Sequence, residues 1–555
     1  MTGAIRVGNF SGFYGDRFDA LAEMLAGGEL DVLTGDYLAE LTMLILARDR
    51  LKDPATGYAK TFLRQLETTL GLALERGVTI VTNAGGLNPA GLAANIARLA
   101  GRLGLRVRIG HVTGDDVRHR FPEALAANAY LGAWGIADCL AAGADLVVTG
   151  RVTDASLAVG PAAARFGWQR DDHDAIAAAM VAGHVLECGA QATGGNYAFF
   201  TELADLTRPG FPIAEIAADG SSVITKHPGT GGAVTVGTVT AQLLYEIGGP
   251  RYAGPDATAR FDTIVLAQDG PDRVRISGVR GEPPPPDYKV SVNTVEGFRN
   301  EMQFVLTGLN IDAKAALVRQ QLARPDAQWQ LSRTDQPDAD TEQAASAVLR
   351  CVVRGPEPDR IGRRFSDAAV QLALASYPGC HLTALPGPAQ PDGVFRAATL
   401  PQTEVAHLAV HPDGSRRPIP PPERTRPLAG QPADPPVPPA AVSGRTRRVP
   451  LGDVIGARSG DKGGAATLGV WVRRTEQYPW LVQALTVDRL RQLLPETREL
   501  PIDRYLLPNL AAMNFVIHDL LGLGVAWNAR FDPQAKALGE WLRARWLEIP
   551  EEVLG

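Results

Sequence analysis

Thr79-Ile-Val-Thr-Asn-Ala-Gly-Gly86, with Asn88 and Pro89 just beyond it, reads as a short buried strand, a glycine-bearing polar loop and the capped start of a helix. The scheme recurs along the first part of the chain. Ile5-Arg-Val-Gly8 leads into the loop Asn9–Asp16 and an amphipathic helix from Arg17 to Ala26, and Asp31-Val-Leu-Thr34 leads into Gly35–Glu40. Arg106-Val-Arg-Ile-Gly110 and Asp145-Leu-Val-Val-Thr-Gly150 continue it. Five strand, loop and helix units within about 150 residues predict an α/β body, a parallel sheet flanked by helices, with ligands outside the carboxyl ends of its strands. The loops after those strands carry Asp16, Asp36, Asn83, His111, Asp115, Arg151 and Asp154. Gly8, Gly12 and Gly15 lack the spacing of a dinucleotide fingerprint. Taken alone, each loop residue is equally a helix cap, the reading favoured for Asn88 and Asp36.

A chain of 555 residues exceeds one hydrophobic core. Its composition, 45% hydrophobic and 21% charged, is that of an ordinary globular protein. A net charge of -6 gives no reason to expect nucleic acid or an anionic membrane as partner. An anionic substrate has to be met by local charge instead. The amino terminus lacks a signal-peptide apolar region and no run suits a membrane span, so the expectation is a cytoplasmic protein, read as a homo-oligomer acting on a small molecule. Cys139, Cys188, Cys351 and Cys380 lie far apart, which disfavours a zinc site and a disulfide framework. Prolines crowd the chain between Pro412 and Pro450. Residues 412–448 are therefore expected to be an extended linker between a body, 1–411, and a tail domain, 449–555. The tail reads as strand, glycine loop, strand, a helix from Pro479 to Leu494, strands near Leu500–Leu507 and Asn514–Leu520, and a last helix over Lys536–Leu547. That order suggests a ferredoxin-like α+β domain.

Four stretches carry chemistry. Ser459-Gly-Asp-Lys-Gly-Gly464 looks over-equipped for a turn, and Asp461 and Lys462 become substrate-binding candidates. Gly150-Arg-Val-Thr-Asp154 sets a guanidinium and a carboxylate at a helix start, either to hold an anionic ligand or to pair Arg151 with Asp154. In Glu187-Cys-Gly-Ala-Gln-Ala-Thr-Gly-Gly-Asn196, Cys188 follows a helix carboxyl end, whose negative pole works against a thiolate. Glu187 is the better acid or base, and Gly194, Gly195 and Asn196 are candidate oxyanion donors. Lys226-His-Pro-Gly-Thr-Gly-Gly232 offers His227 as a titratable group beside Lys226.

These motifs, with Ser11-Gly-Phe-Tyr-Gly-Asp-Arg17 and Thr82-Asn-Ala-Gly-Gly86, resemble the acyclic terpene utilisation protein A family in order and content. The resemblance extends through Ala457-Arg-Ser-Gly-Asp-Lys-Gly463 to the family's ferredoxin-fold tail module. It implies catabolism of citronellol- and geraniol-type compounds through branched acyl-CoA thioesters. The resulting expectation is a hydratase or lyase with Glu187, Asp154 and His227 as acid–base groups and Arg151, Asp16 and Asn83 in the binding loops. No metal or redox cofactor is required, coenzyme A entering as part of a thioester substrate. A thioester hydrolase or acyl transferase through Cys188, and a noncatalytic acyl-CoA binding or scaffold subunit, stay open.

Overall fold

The computed structural model describes residues 3–428, 430–436 and 444–555. Five strands, Ile5–Ser11, Val32–Gly35, Thr79–Thr82, Leu146–Thr149 and Ile109–Thr113 in that spatial order, form the parallel centre of an eleven-stranded sheet. Antiparallel strands extend it on both sides, starting with Pro212–Ile216 against Ile5–Gly8 and Leu408–Val410 against His111–Thr113. The strand expected from Arg106 begins only at Ile109, because the Asp145 carboxylate takes the Arg108 main-chain N–H at 2.8 Å and its guanidinium at 2.6 Å. Close approach on one face depends on Gly35, where a Cβ would lie 2.4 Å from the Phe10 ring. That ring stacks on Phe62, centroids 6.1 Å apart, with Tyr37 edge-on to Phe62 at 5.8 Å. On the other side, His173–Leu186 is buried without a break from Ile176 to Leu186, and its alanines let neighbouring helices and strands pack close.

Two compact units divide the chain. The first comprises residues up to 293, 395–525 and 534–555, so it contains both the large sheet and most of the tail. The second comprises 294–394 and 526–533 within the span read as one body and its tail. There, Phe298–Thr307 pairs with Ser346–Gly355, which pairs with Gln328–Ser332, over a core containing Phe304, Leu349 and Phe365. Arg299 and Arg350 donate to the carbonyls of Ala526 at 2.8 Å and Ala529 at 2.9 Å, and Arg354 donates to that of Trp527.

The tail carries a four-stranded antiparallel sheet in the spatial order Ile455–Lys462, Ala465–Val472, Ala512–Ile517, Ile502–Leu507. The expected Ser459–Gly464 loop is instead strand through Lys462, closed by the two-residue turn Gly463–Gly464 with Gly463 at φ 64°. Such a turn demands positive φ, which glycine supplies. The expected helix 479–494 breaks in two, since Thr486 caps a second helix, Val487–Leu493, by accepting from the Arg489 N–H at 3.1 Å. Inside the stretch read as linker, Arg416–Pro418 is a strand against Leu408–Val410, and the Gln431 amide exchanges hydrogen bonds with the Arg251 main chain at 2.7 and 3.2 Å. Residues 429 and 437–443 of that stretch lie outside the described residues.

Asn88 accepts from the Gly91 N–H at 3.0 Å with Pro89 opening the helix, as its position after the strand requires. Asn88→Ala should therefore cost about 1 kcal/mol, read as a lower thermal midpoint than wild type.

Candidate active-site cleft

The carboxyl ends of the parallel strands deliver a tied set of polar groups. Asn83, fully buried, donates to the Asp36 carboxylate at 2.6 Å and accepts from the Tyr37 N–H at 2.7 Å. Burial, then the charge of Asp154, raise the Asp36 carboxyl well above its ordinary range. Arg151 is 4% exposed; its guanidinium meets Asp154 at 2.5 Å and lies 4.1 Å over the Tyr130 ring. The Arg151 main-chain N–H donates at 2.9 Å to Asp115, which burial holds at about 6. Of the two readings for this loop, the structure contains the internal Arg151–Asp154 pair.

Glu187 ends the long alanine-rich helix, and one turn earlier His184 faces it with Nδ1 at 2.9 Å from Oε1. Burial raises the Glu187 carboxyl above its usual value despite the imidazole. For His184, burial alone acts downward, but the Glu187 charge and hydrogen bond carry it above its ordinary pKa. The two groups therefore titrate as a pair, the charge on each setting the other's hold on its proton. Cys188 stands beside this pair, and burial together with the Glu187 and Glu246 carboxylates pushes its thiol well above the normal range. Gly12 makes room for that turn, since a Cβ there would lie 2.7 Å from the Cys188 carbonyl carbon. Asp16 locks the same loop by accepting from the Gly12 N–H at 2.8 Å, with its carboxylate against Gly189.

The tail supplies the remaining wall. Lys462 Nζ donates to the Glu246 carbonyl at 2.8 Å and lies 5.7 Å over the Tyr252 ring. Lys536 Nζ stands 3.3 Å from the Glu246 carboxylate and 3.5 Å from Asp461. Burial, then the Glu246 charge, raise Asp461 to about 6. Glu246 itself is held at φ 57°, an uncommon backbone state for a residue with a side chain.

Seven groups here escaped the sequence reading: Glu40, Tyr130, His184, Glu246, Tyr252, Lys289 and Lys536. Glu40 opens the helix Glu40–Lys52 behind a carboxyl-end loop and was open to selection on that ground, and His184 lies one turn before Glu187; the others sit in ordinary strands and turns. Lys289 approaches Glu40 at 3.8 Å and lies 4.8 Å over the Tyr130 ring. Its side chain stays 43% accessible although protein surrounds it densely, and Lys462 combines exposure with the same enclosure. That combination marks groups lining a cleft rather than an outer surface. The Asp154 and Glu246 charges act on both Glu187 and Tyr252 there.

Other expected site residues are held elsewhere. His227 is buried with Nε2 3.0 Å from the Met24 carbonyl, and its ring fills the space left by Gly27 and Gly28 at a helix carboxyl end. Lys226 donates to the Thr230 carbonyl at 2.7 Å and pairs with Asp272 at 3.1 Å, pinning its own loop. The Gly194 and Gly195 N–H groups bond to the carbonyls of Gln191 and Ala190, so neither is an oxyanion donor as placed. Asn196 is exposed in the same turn at φ 58°. Among the described residues no cluster of three or more His, Cys, Asp or Glu suits a metal ion, and no helix is long and apolar enough to cross a membrane.

A parallel α/β sheet whose carboxyl-end loops meet an α+β tail around a carboxylate- and lysine-lined cleft defines the class of protein. The chain belongs to the acyclic terpene utilisation AtuA family, whose model matches residues 5–411, and the AtuA ferredoxin-like domain matches 449–548. No curated protein and no solved structure matches it.

Burial raises Glu40 from 4.5 to about 7, despite Lys289. The folded state thus holds a proton that the unfolded chain has lost, so stability falls as pH rises from about 4.5 to about 7. Glu40→Gln should remove that part of the fall, with an upper bound of about 3 kcal/mol at pH 8. Melting temperatures of both proteins from pH 4.5 to 8 should converge at the acid end and separate at the alkaline end, the variant being the more stable.

Proposed function

We propose that the protein is a catabolic enzyme acting on a branched, terpenoid-type acyl-CoA or related carboxylate, with hydratase or lyase chemistry by general acid–base catalysis. The observation that carries this reading is the pair formed by buried His184 and Glu187, Nδ1 2.9 Å from Oε1, at the wall of a charged cleft. The family's link to acyclic terpene utilisation supports the substrate class. In the dehydration direction, the Glu187 carboxylate takes the proton next to the thioester carbonyl while His184 stabilises the ionised form. The enolate oxygen accepts from the Tyr252 hydroxyl, which burial and the neighbouring carboxylates keep protonated. Glu40, half protonated near neutrality, returns a proton to the departing hydroxyl, which leaves as water. Asp154, held by Arg151, shapes the same wall. Addition of water runs these transfers in reverse.

A thioester hydrolase through Cys188 is the second enzyme reading. It needs a thiolate, which the surroundings of Cys188 oppose. A noncatalytic binding subunit leaves the His184–Glu187 pair without a role.

Glu187→Gln should lower kcat on a branched acyl-CoA by about 10²–10⁴-fold, whereas Cys188→Ser should retain most turnover. In wild type, kcat/KM should decline as pH falls through the raised Glu187 pKa, above the ordinary carboxylate range. A thioester trapped on Cys188 by mass spectrometry would overturn the assignment in favour of the hydrolase, and equal turnover in both variants would favour the binding subunit.

A further inference from the structure

Lys536 has two carboxylates, Glu246 of the body and Asp461 of the tail, within ion-pair distance. Two other ammonium groups in the cleft are less well matched. Lys462 has a main-chain carbonyl and an aromatic face but no carboxylate within 4.0 Å among the described residues. Lys289 has one carboxylate, Glu40, at the long separation of 3.8 Å, and the rings of Tyr130 and Phe395 at 4.8 and 5.8 Å. The two lysines come from distant parts of the chain, one on the strand Asp287–Thr307 and one at the tail hairpin. One ring joins them: Phe395 lies 5.8 Å from Lys289 Nζ, and a Cβ at Gly463, the residue after Lys462, would stand 3.2 Å from it. After burial, the Lys289 charge is the next largest influence holding Lys462 down at about 8. Glu40 acts on both side chains, Glu187 on Lys462 and Asp154 on Lys289.

We propose that Lys289 and Lys462 form the seat for an anionic group of the ligand, a carboxylate on the acyl portion or a phosphate of its carrier. This rests on the reading of the cleft as the active site and adds a second recognition element to it. An anion between two ammonium groups relieves their repulsion and accepts charge-assisted hydrogen bonds from both. The mixed field of Glu40, Glu187, Glu246, Asp154 and Arg151 around them keeps such a site from being a general anion trap. Binding an anion also favours the charged form of Lys462, so at pH 8.5 the protein takes up a proton as the ligand enters.

The test is calorimetric titration of the full-length protein at pH 8.5 with glutarate and with ADP, each in two buffers of different ionisation enthalpy. At least one probe should bind with net proton uptake, glutarate marking a substrate carboxylate and ADP the carrier's phosphates. Lys289→Gln and Lys462→Gln, checked for wild-type melting temperature, should each weaken that probe at least tenfold. Lys462→Arg should keep binding but lose most of the uptake, because arginine is charged throughout. Absence of binding by either probe, or affinity unchanged in both glutamine variants, overturns the proposal. No turnover is read, so the outcomes separate: anion binding in a protein inactive on every acyl-CoA removes only the acid–base reading, and Glu187-dependent turnover without anion binding removes only the seat.

Discussion

A guanidinium buried to 4% exposure has to be compensated, and the geometry of the cleft follows from how Arg151 is compensated. Asp154 takes its charge, Asp36 adds a field from the end of the strand two places away, and Asp115 fixes its main chain. Its fourth support is the Tyr130 ring. The Tyr130 N–H donates to the Lys289 carbonyl at 2.9 Å, so the residue that covers Arg151 also positions the strand bearing Lys289. Losing any one of these partners leaves a charge without its counterpart in a place water hardly reaches, which is far more costly than losing a surface pair.

The tail is bound to this arrangement by packing as well as by charge. Trp471, Leu507, Leu510 and Ala512 belong to the same apolar cluster as the large sheet and its helices. Gly469 lies against Leu244, where a Cβ would come within 2.4 Å, and Asn514 donates to the carbonyls of Ile247 and Gly248 at 2.8 and 2.7 Å. These contacts grip the segment around Glu246 on both sides, which accounts for a glutamate persisting in a left-handed conformation. Asp461 and Lys462, one strand-end away, inherit that precision.

What was legible in the sequence was local. Strand ends punctuated by glycine, the Asn88–Pro89 helix start, and the helix end ahead of Cys188 all express short-range preferences, and so the parallel centre of the sheet and the Glu187 turn could be read directly. The Gly463–Gly464 turn was misjudged because the acid and base before it looked like loop residues, whereas they complete a strand. Lys226 and His227 attracted attention by their glycine-rich setting, and that setting serves a loop pinned by Lys226 to Asp272 and by His227 to the helix end at Met24–Gly28. Lys289 and Glu246 had no such setting. Their significance arises when strands far apart in sequence are brought together, and no window of the chain contains it. The second compact unit was equally hidden, since one of its two segments lies beyond residue 520.

That segment, Ala526–Pro533, gives the chain a history as well as a shape. Because its carbonyls take the Arg299, Arg350 and Arg354 side chains, the unit formed around 294–394 is completed by residues encoded more than a hundred positions later. Neither portion is a cassette that a single recombination event transfers whole. Lineages that exchange or shed the tail have to rebuild a sheet face in a different part of the molecule, which binds the two portions to be inherited together.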